Sequence, residues 1–263
     1  TTIENLIIAT KSQDVISAFQ SVKHRLSNKS HILVLSNGMG YHESIASTLL
    51  ETFSNSNLWA GVSSDGAILS NNHVINHMGK GTTYIGRFNA PELSDRNRCF
   101  YLAVSGSQAD SPLLNLQVAD SIKLRILQKF LVNCAINPLT VIHNCSNGKL
   151  LHKPQAYSDL QEICKELQLL YNAIKITIND PFDEETEEHH KNFNLLSTAS
   201  DVIETTAKNH SSMLCDWQQD RPLELEYLNI YAQFLARQCK ISGAANSKII
   251  DQLNSLTSRL PAT

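Results

Sequence analysis

The sequence predicts an α/β fold, in which a mostly parallel sheet is followed by an all-helical C-terminal domain. Roughly the first 90 residues alternate short apolar runs with segments of helical periodicity, the order expected of a parallel sheet. From about Ser121 onward, long segments with a 3.6-residue apolar period dominate. Because 263 residues exceed the usual size of one domain, we predict two, residues 1–120 and residues 121–263.

The predicted sheet begins with a β-α-β unit. Asn5–Thr10 is a continuous apolar run typical of a strand buried on both faces, and His31–Leu35 is a second such run. Between them, Asp14–Leu26 carries apolar residues at helical spacing. The elements that follow are a helix at Glu43–Phe53, an extended segment at Trp59–Ser63, and two segments that suit an antiparallel extension of the sheet, His73–Met78 and Thr82–Arg87.

The second domain is predicted from its helical periodicity. The long periodic segments are Ile122–His143, Tyr157–Ile174, Leu195–Met213 and Leu223–Arg237. Between the second and third of these, Asp180–His190 is a charged run that we expect to be a solvated loop.

Composition and charge exclude several classes of partner. The formal net charge of -3 comes from 22 basic and 25 acidic residues that are mixed along the chain, so no nucleic-acid partner is expected. No apolar run approaches the roughly 20 residues of a membrane span. A reducing cytoplasm is expected, because the six cysteines form no C-x-x-C pair. These cysteines are Cys99, Cys134, Cys145, Cys164, Cys215 and Cys239.

A polar stripe interrupts the apolar helix around residue 130. Lys129, Asn133 and Asn137 are spaced i, i+4 and i+8, so they share one face. Such a stripe faces solvent, is hydrogen-bonded inside the protein, or lines a site that a polar ligand completes. Taken alone, a wet or internally bonded face is the favoured interpretation. Pro138 lacks a backbone donor and disturbs the helix next to Asn137.

Other chemistries find no support in the sequence. His189 and His190 stand among acidic residues, but adjacent helix positions do not share a face, so no metal site is expected. The chain has no H-E-x-x-H, no G-x-S-x-G and no P-loop. Zinc-dependent, hydrolase and phosphotransferase activities are therefore not predicted.

Two ordered motifs carry a family resemblance. The first is K-x-x-x-N-x-x-x-N-P-L-T at 129–140, followed by N-C-S-N-G-K-L at 144–150. The second is N-H-S-S-M-L-C-D at 209–216, followed by E-L-E-Y-L-N at 224–229. Together they resemble the signatures of the ketopantoate reductase family. Upstream, Lys11, the N-G-M-G at 37–40 and the G-V-S-S-D-G-A at 61–67 resemble the C-terminal half of the family's Rossmann-type nucleotide-binding domain.

The resemblance implies a function and a set of residues. It implies reduction of 2-dehydropantoate (ketopantoate), a small 2-oxo acid, to pantoate with NADPH, a step of pantothenate biosynthesis on the way to coenzyme A. Lys129 matches the family's general acid, which stabilises and protonates the developing oxyanion. A nearby carboxylate would favour protonated Lys129 and desolvation would oppose it, and the residues alone leave that balance open. The substrate-binding positions implied are Lys129, Asn133, Asn137, Asn147, Asn209 and Ser212, and the cofactor-binding positions are Lys11, Asn37, Ala67 and Glu224.

The chain departs from the family pattern at two places. Family members open with a strand and a G-x-G-x-x-G turn at the cofactor pyrophosphate, and this sequence contains no such turn. Ser63-Ser64-Asp65 stands where the family usually has Thr-Thr-His, and an inward-pointing acidic group would be unfavourable beside phosphates.

Three interpretations follow from these departures. The chain is a reductase represented here without its N-terminal part, a non-catalytic truncated remnant that binds a 2-oxo acid or a protein partner, or a sister reductase for another 2-oxo or imino acid. For the isolated chain we expect marginal stability or self-association into a homo-oligomer, because a sheet that loses neighbouring strands exposes apolar faces and unpaired edges.

Overall fold

The computed structural model describes residues 1–53, 57–69, 74–88, 115–119, 121–178 and 191–257. The described residues divide into two compact units, residues 1–126 and residues 127–257. The division falls between Ile126 and Leu127, inside a helix, a few residues after the position at which we placed the domain boundary. Cys99 and the charged run Asp180–His190 lie outside the described residues.

The first unit is built on a five-stranded mixed sheet with the order β1-β2-β3-β6-β7. Strands β1, β2 and β3 are parallel, β6 is antiparallel to β3, and β7 is parallel to β6. The elements of this unit are β1 (Asn5–Ile8), α1 (Val15–Val22), β2 (His31–Val34), α2 (Tyr41–Thr52), β3 (Asn57–Ser63), β4 (Gly66–Leu69), β5 (Ile75–Gly79), β6 (Thr83–Arg87) and β7 (Leu116–Val118). The predicted β-α-β start and the antiparallel strand near Thr82–Arg87 are confirmed.

Burial in the sheet follows the position of each strand. All four residues of β2 are buried, as its continuous apolar run predicts, because β2 lies between two neighbouring strands. The expectation that β1 is buried on both faces is wrong, since Ile7 is 57% exposed and only Ile8 is buried. β1 is an edge strand of this sheet, so it has fewer neighbours to cover it.

The segment His73–Met78 does not extend the main sheet. Its described part forms β5, which pairs antiparallel with β4 in a separate two-stranded sheet. The place beside β3 is taken by β6, whose Ile85 is fully buried against the core, whereas Ile75 of β5 is exposed. Alternation of apolar residues identified the strand, but it did not identify the strand's partner.

The second unit is helical. Its elements are α3 (Ile122–Ile142, which begins in the first unit), α4 (Lys149–His152), α5 (Pro154–Lys175), α6 (Leu195–Thr205), α7 (Ser212–Gln218), a 3₁₀ turn (Leu225–Tyr227), α8 (Asn229–Gln238) and α9 (Ala244–Thr257). No helix among the residues described is long and apolar enough to cross a membrane.

Two predicted long helices are each interrupted. The periodic segment Leu195–Met213 forms α6 and α7, because Asn194 caps the start of α6 and Ser211 caps the start of α7. Likewise, α8 begins only at Asn229. The apolar period continues across both breaks, so it could not reveal them.

Candidate active site

Lys129 lies on α3, a helix without a fully exposed residue. Part of the Lys129 surface stays accessible, but its ammonium group is largely surrounded by protein atoms. This desolvation lowers the Lys129 pKa from 10.5 to about 8, and the half-buried carboxylate of Glu224 partly opposes the shift. Desolvation therefore outweighs the carboxylate, which settles the balance that the sequence left open.

The polar stripe of α3 is not a solvated face. Asn133 is half-buried, Asn137 is buried, and the intervening side chains on the helix belong to the core. A helix without an exposed residue keeps polar groups mainly where partners or a ligand satisfy them. Of the wet or internally bonded face favoured from the stripe alone, the wet alternative is therefore wrong, whereas an internally bonded face and a ligand site remain.

A pair of buried hydroxyl groups joins α3 to the start of α7. Thr140 Oγ1 donates to the Asn137 carbonyl at 2.7 Å and lies 2.6 Å from Ser211 Oγ. Because the Thr140 proton is used, Ser211 donates to Thr140 while accepting from the Leu214 N–H at 3.0 Å. Ser212, the first residue of α7, is exposed next to this pair. The arrangement ties the helical turn of Asn137 to the segment that carries Ser212.

A second set of bonds joins the loop after α3 to the loop after α6. The Asn147 N–H donates to the Asn209 carbonyl at 3.0 Å, and Asn147 Nδ2 donates to Thr206 Oγ1 at 2.8 Å. The side-chain oxygen of Asn147 is buried without a hydrogen-bond partner, whereas the Asn209 side chain is exposed. An unsatisfied buried acceptor is costly, so this oxygen suits a hydroxyl or other donor on a ligand.

Gly148 makes this approach of the two loops possible. Its N–H donates to the Ala207 carbonyl at 3.0 Å, and a Cβ on Gly148 would lie 2.7 Å from the Ala207 Cβ. Position 148 therefore requires glycine, because any side chain there would collide with Ala207.

Two predicted cofactor residues of the first unit follow parallel strands. Lys11 comes shortly after β1, and Asn37 comes shortly after β2. Carboxyl ends of parallel strands meet at one edge of a sheet, the usual ligand edge of open α/β folds. Gly38 and Gly40 adopt positive φ angles of 84° and 103°, which suit a tight strand-to-helix turn. The Tyr41 hydroxyl holds this turn, lying 3.0 Å from the Asn37 carbonyl.

Ala67 lies on the β4–β5 hairpin, exposed and paired with His77. Beside it, the Asp65 carboxylate accepts from the Gly81 N–H and contacts His77 Nε2, both at 3.0 Å. Its second oxygen accepts from Ser63 Oγ at 3.1 Å. The Gly81 N–H is the main cause of a lowered Asp65 pKa. The acidic residue that replaces the family's usual His is thus engaged in local bonds that hold the hairpin.

Three residues near these positions were not predicted from the sequence. Thr140 and Ser211 belong to the motifs quoted above, but neither was singled out; a capping serine three residues before Leu214 was the available signal. His42 is buried and stacked on Phe88 at 4.8 Å, and burial lowers its pKa to about 3. Its polar sequence neighbours concealed that burial. Among the described residues, no group of acidic, Cys and His side chains is arranged to hold a metal ion.

Comparisons with known proteins match both units. Residues 1–90 match a family model described as ketopantoate reductase PanE/ApbA, and residues 121–257 match its C-terminal counterpart. A 2-dehydropantoate 2-reductase of Escherichia coli O157:H7 is 31% identical over 245 residues, which cover 93% of this chain and 70% of that protein. One from Vibrio cholerae is 30% identical over 252 residues, covering 95% and 77%.

Solved structures share the fold. The 2-dehydropantoate 2-reductase from Methylococcus capsulatus gives a TM-score of 0.75 at 17% identity, covering 100% of this chain and 77% of that one. D-mandelate dehydrogenase, solved with NADH and anilino(oxo)acetate, gives 0.76 at 18% identity, covering 99% and 78%. At these identities the likeness concerns the fold.

Proposed function

Because this chain belongs to the ketopantoate reductase family, whose chemistry serves pantothenate biosynthesis, we propose that it reduces 2-dehydropantoate to pantoate with NADPH. The match of both units to the ketopantoate reductase family models carries the proposal, and the desolvated ammonium of Lys129, whose pKa the Glu224 charge raises, supports it. Relatives named 2-dehydropantoate 2-reductase, at 30% identity or slightly above, support the choice of substrate.

Lys129 is the proposed general acid. As a ketone carbon accepts hydride, its oxygen gains negative charge, and an ammonium in a water-poor site stabilises that charge strongly. Lys129 Nζ then gives its proton to this oxygen, which becomes the hydroxyl of the product. A pKa of about 8 places the group near neutrality, where it is still mostly protonated and transfers its proton readily.

The substrate-binding residues proposed are polar and uncharged, apart from Lys129. Amide and hydroxyl groups of this kind bind a carboxylate and a hydroxyl without adding charge. The unpaired side-chain oxygen of Asn147 supports a contact with a substrate hydroxyl. The other members of the set are Asn133, Asn137, Asn209 and Ser212.

The cofactor residues proposed are Lys11, Asn37, Ala67 and Glu224. The glycine turn after β2 and the cationic Lys11 after β1 suit the anionic, phosphate-bearing part of a dinucleotide. When bound, the nicotinamide ring supplies the hydride. The choice of NADPH rests on the family resemblance; D-mandelate dehydrogenase of similar fold was solved with NADH.

Location and assembly are proposed on narrower grounds. We propose the cytoplasm, because the described cysteines are unpaired, as in a reducing compartment. We propose self-association into a homo-oligomer, because Ile7 of the edge strand β1 is exposed. A related ketopantoate reductase from Staphylococcus aureus is described as dimeric.

The test is turnover of ketopantoate with NADPH, together with calorimetric binding of each. We expect saturable binding of both and turnover that Lys129→Ala lowers by at least about 10³-fold, since it removes the acid and its charge. Lys165→Ala, an exposed lysine on α5, is the matched control and retains full activity. Binding of ketopantoate without NADPH binding or turnover would favour the non-catalytic alternative. Faster turnover of another 2-oxo acid would favour a sister reductase.

A further inference from the structure

Pro138 creates a gap in the hydrogen bonding of α3. Proline has no N–H, so it cannot donate to the carbonyl four residues earlier, which belongs to Cys134. Along α3, Cys134 follows Lys129 and Asn133 and precedes Thr140. A buried carbonyl that lacks its helical donor needs another one.

Asn229 supplies that donor from a different helix. Its side-chain Nδ2 donates to the Cys134 carbonyl at 3.0 Å, and Asn229 is fully buried. The same nitrogen donates to Asn246 Oδ1 at 2.8 Å. Because both neighbouring groups are acceptors, the Asn229 amide is oriented with its nitrogen, and not its oxygen, toward the Cys134 carbonyl and Asn246 Oδ1.

Asn229 is itself held by α9, whose start is bonded in turn to α5. Asn246 Nδ2 donates back to the Asn229 carbonyl at 2.6 Å, so the two asparagines bond reciprocally. The N–H groups of Asn246 and Ala245, at the start of α9, donate to the Glu166 carboxylate of α5 at 3.0 Å and 2.9 Å. The side-chain oxygen of Asn229 is buried without a hydrogen-bond partner, but its amide nitrogen and carbonyl are both bonded. A buried network with these bonds favours one arrangement of the helices that it joins.

The position of Asn229 in the chain links this network to the candidate active site. Asn229 begins α8, directly after the 3₁₀ turn Leu225–Tyr227 that follows Glu224. The turn is short and bonded, with the Tyr227 N–H donating to the Glu224 carbonyl at 3.2 Å. The residue that completes α3 at Pro138 therefore also begins the helix that follows Glu224, whose charge acts on the Lys129 pKa.

We propose that Asn229 is a positioning residue, which completes helix α3 at the Pro138 gap and thereby fixes the segment that carries Glu224 relative to the helix that carries Lys129. The role of Asn229 in completing α3 is argued from its hydrogen bonds alone. The effect of Asn229 on catalysis rests on the proposed function of Lys129. Asn229 does not need to touch the substrate or the cofactor for this role.

The first test is a double-mutant cycle on the whole chain. Asn229→Leu, which removes the donor at similar volume, is expected to raise the unfolding equilibrium constant in urea about tenfold. In the Pro138→Ala background the factor is expected to fall to about threefold or less, because the new N–H at position 138 serves the Cys134 carbonyl. Equal factors in both backgrounds would overturn the proposal. If Asn229→Leu does not fold, Asn229→Ser takes its place in both backgrounds.

The second test does not depend on turnover. The pKa of Lys129 is measured by NMR on lysine-labelled protein, with Lys129→Ala to assign the signal. In the parent chain Glu224→Gln is expected to lower this pKa, and in the Asn229→Leu background the same change is expected to have less than half that effect. Gln233→Leu is the matched control, because Gln233 bonds Ser247 between α8 and α9 and has no recorded bond to α3. An undiminished effect of Glu224→Gln in Asn229→Leu would overturn the positioning role.

Kinetics then separate this inference from the proposed function. If the parent chain reduces ketopantoate, Asn229→Leu is expected to lower kcat at least tenfold with KM changed less than threefold, while Gln233→Leu keeps both. A parent chain without turnover would refute the proposed function and leave both earlier tests of Asn229 in force. An active parent with an unchanged kcat in Asn229→Leu would overturn the positioning role.

Discussion

At the scale of the residue, two opposing effects determine the protonation of Lys129. Burial disfavours the ammonium, the Glu224 carboxylate favours it, and burial is the larger effect. The resulting pKa of about 8 means that the proposed acid loses its proton just above neutral pH. The charge of Glu224 is therefore expected to matter for the pH range of activity.

The pH profile of the reaction tests this coupling. We expect kcat/KM to fall on the alkaline side with an apparent pKa of about 8, because deprotonated Lys129 cannot act as an acid. Glu224→Gln should move this limb to lower pH, since it removes the charge that raises the Lys129 pKa. Glu226→Gln, at an exposed glutamate two residues away, should leave the limb in place. A limb that Glu224→Gln does not move would contradict the coupling.

Asn147 is expected to act on substrate binding. Asn147→Ala removes the buried side-chain oxygen that has no partner in the protein, so we expect a KM for ketopantoate roughly tenfold higher. Thr206→Val removes only the partner of Asn147 Nδ2 and leaves that oxygen in place, so it should raise KM less. Steady-state kinetics of both variants decide the matter, and an equal rise in KM would assign the effect to the loop rather than to the oxygen.

At the scale of the element, the start of α7 depends on one hydroxyl group. Ser211→Ala removes the cap of Leu214 and the partner of Thr140, so we expect about 1–2 kcal/mol less free energy of unfolding. Ser212→Ala, at the exposed neighbouring position, should change it by less than about 0.5 kcal/mol. Urea unfolding of the two variants measures the difference, and equal losses would rule out the cap as its cause.

Two glycines of the hairpin region offer a steric comparison. A Cβ at Gly81 would lie 2.4 Å from the backbone carbon of Ser64, whereas one at Gly79 would meet no atom within 4 Å. We therefore expect Gly81→Ala to lower the free energy of unfolding by roughly 1–3 kcal/mol, and Gly79→Ala to be close to neutral. Denaturation followed by Trp59 fluorescence distinguishes them, and a neutral Gly81→Ala would mean that the turn relaxes easily.

Elements were predictable from the sequence where a single local pattern decides them. The continuous apolar run of β2 and the period of α5 predicted both elements correctly. The partner of β5 and the break between α6 and α7 were not predicted, because pairing depends on which strand already occupies the place beside β3. The break depends on the caps Asn194 and Ser211, which accept from N–H groups three residues later, and an apolar period does not register such caps.

At the scale of the whole molecule, Lys129 is expected to cost stability. Its pKa is lower in the folded chain than its ordinary value of 10.5, so between about pH 8 and 10.5 the unfolded state binds more protons. The contribution of this group to the free energy of unfolding therefore rises with pH across that window. Below about pH 8 the ammonium is charged in the folded state, and its desolvation lowers the free energy of unfolding by the full amount.

Replacing the charge should reveal that penalty. We expect Lys129→Met to be more stable than the parent chain at pH 7, and we expect the difference to shrink as pH rises from about 8 to 10.5. Urea unfolding of both chains at pH 7 and pH 10 measures it. Lys165→Met, at an exposed lysine, should show no such dependence. A difference that is independent of pH would mean that packing, and not charge, separates the two proteins.

The sequence by itself determined the fold class and the order of most elements, because apolar periods are local properties, and its ordered motifs supplied the residues proposed for the site. Only the tertiary structure decided that α3 has no exposed residue, that desolvation outweighs Glu224 at Lys129, and that Asn147 keeps an unpaired oxygen. It also decided that Asn229 serves the carbonyl of Cys134, 95 positions earlier. Burial and hydrogen-bond pairing depend on chain segments that meet only after folding, so no local pattern records them.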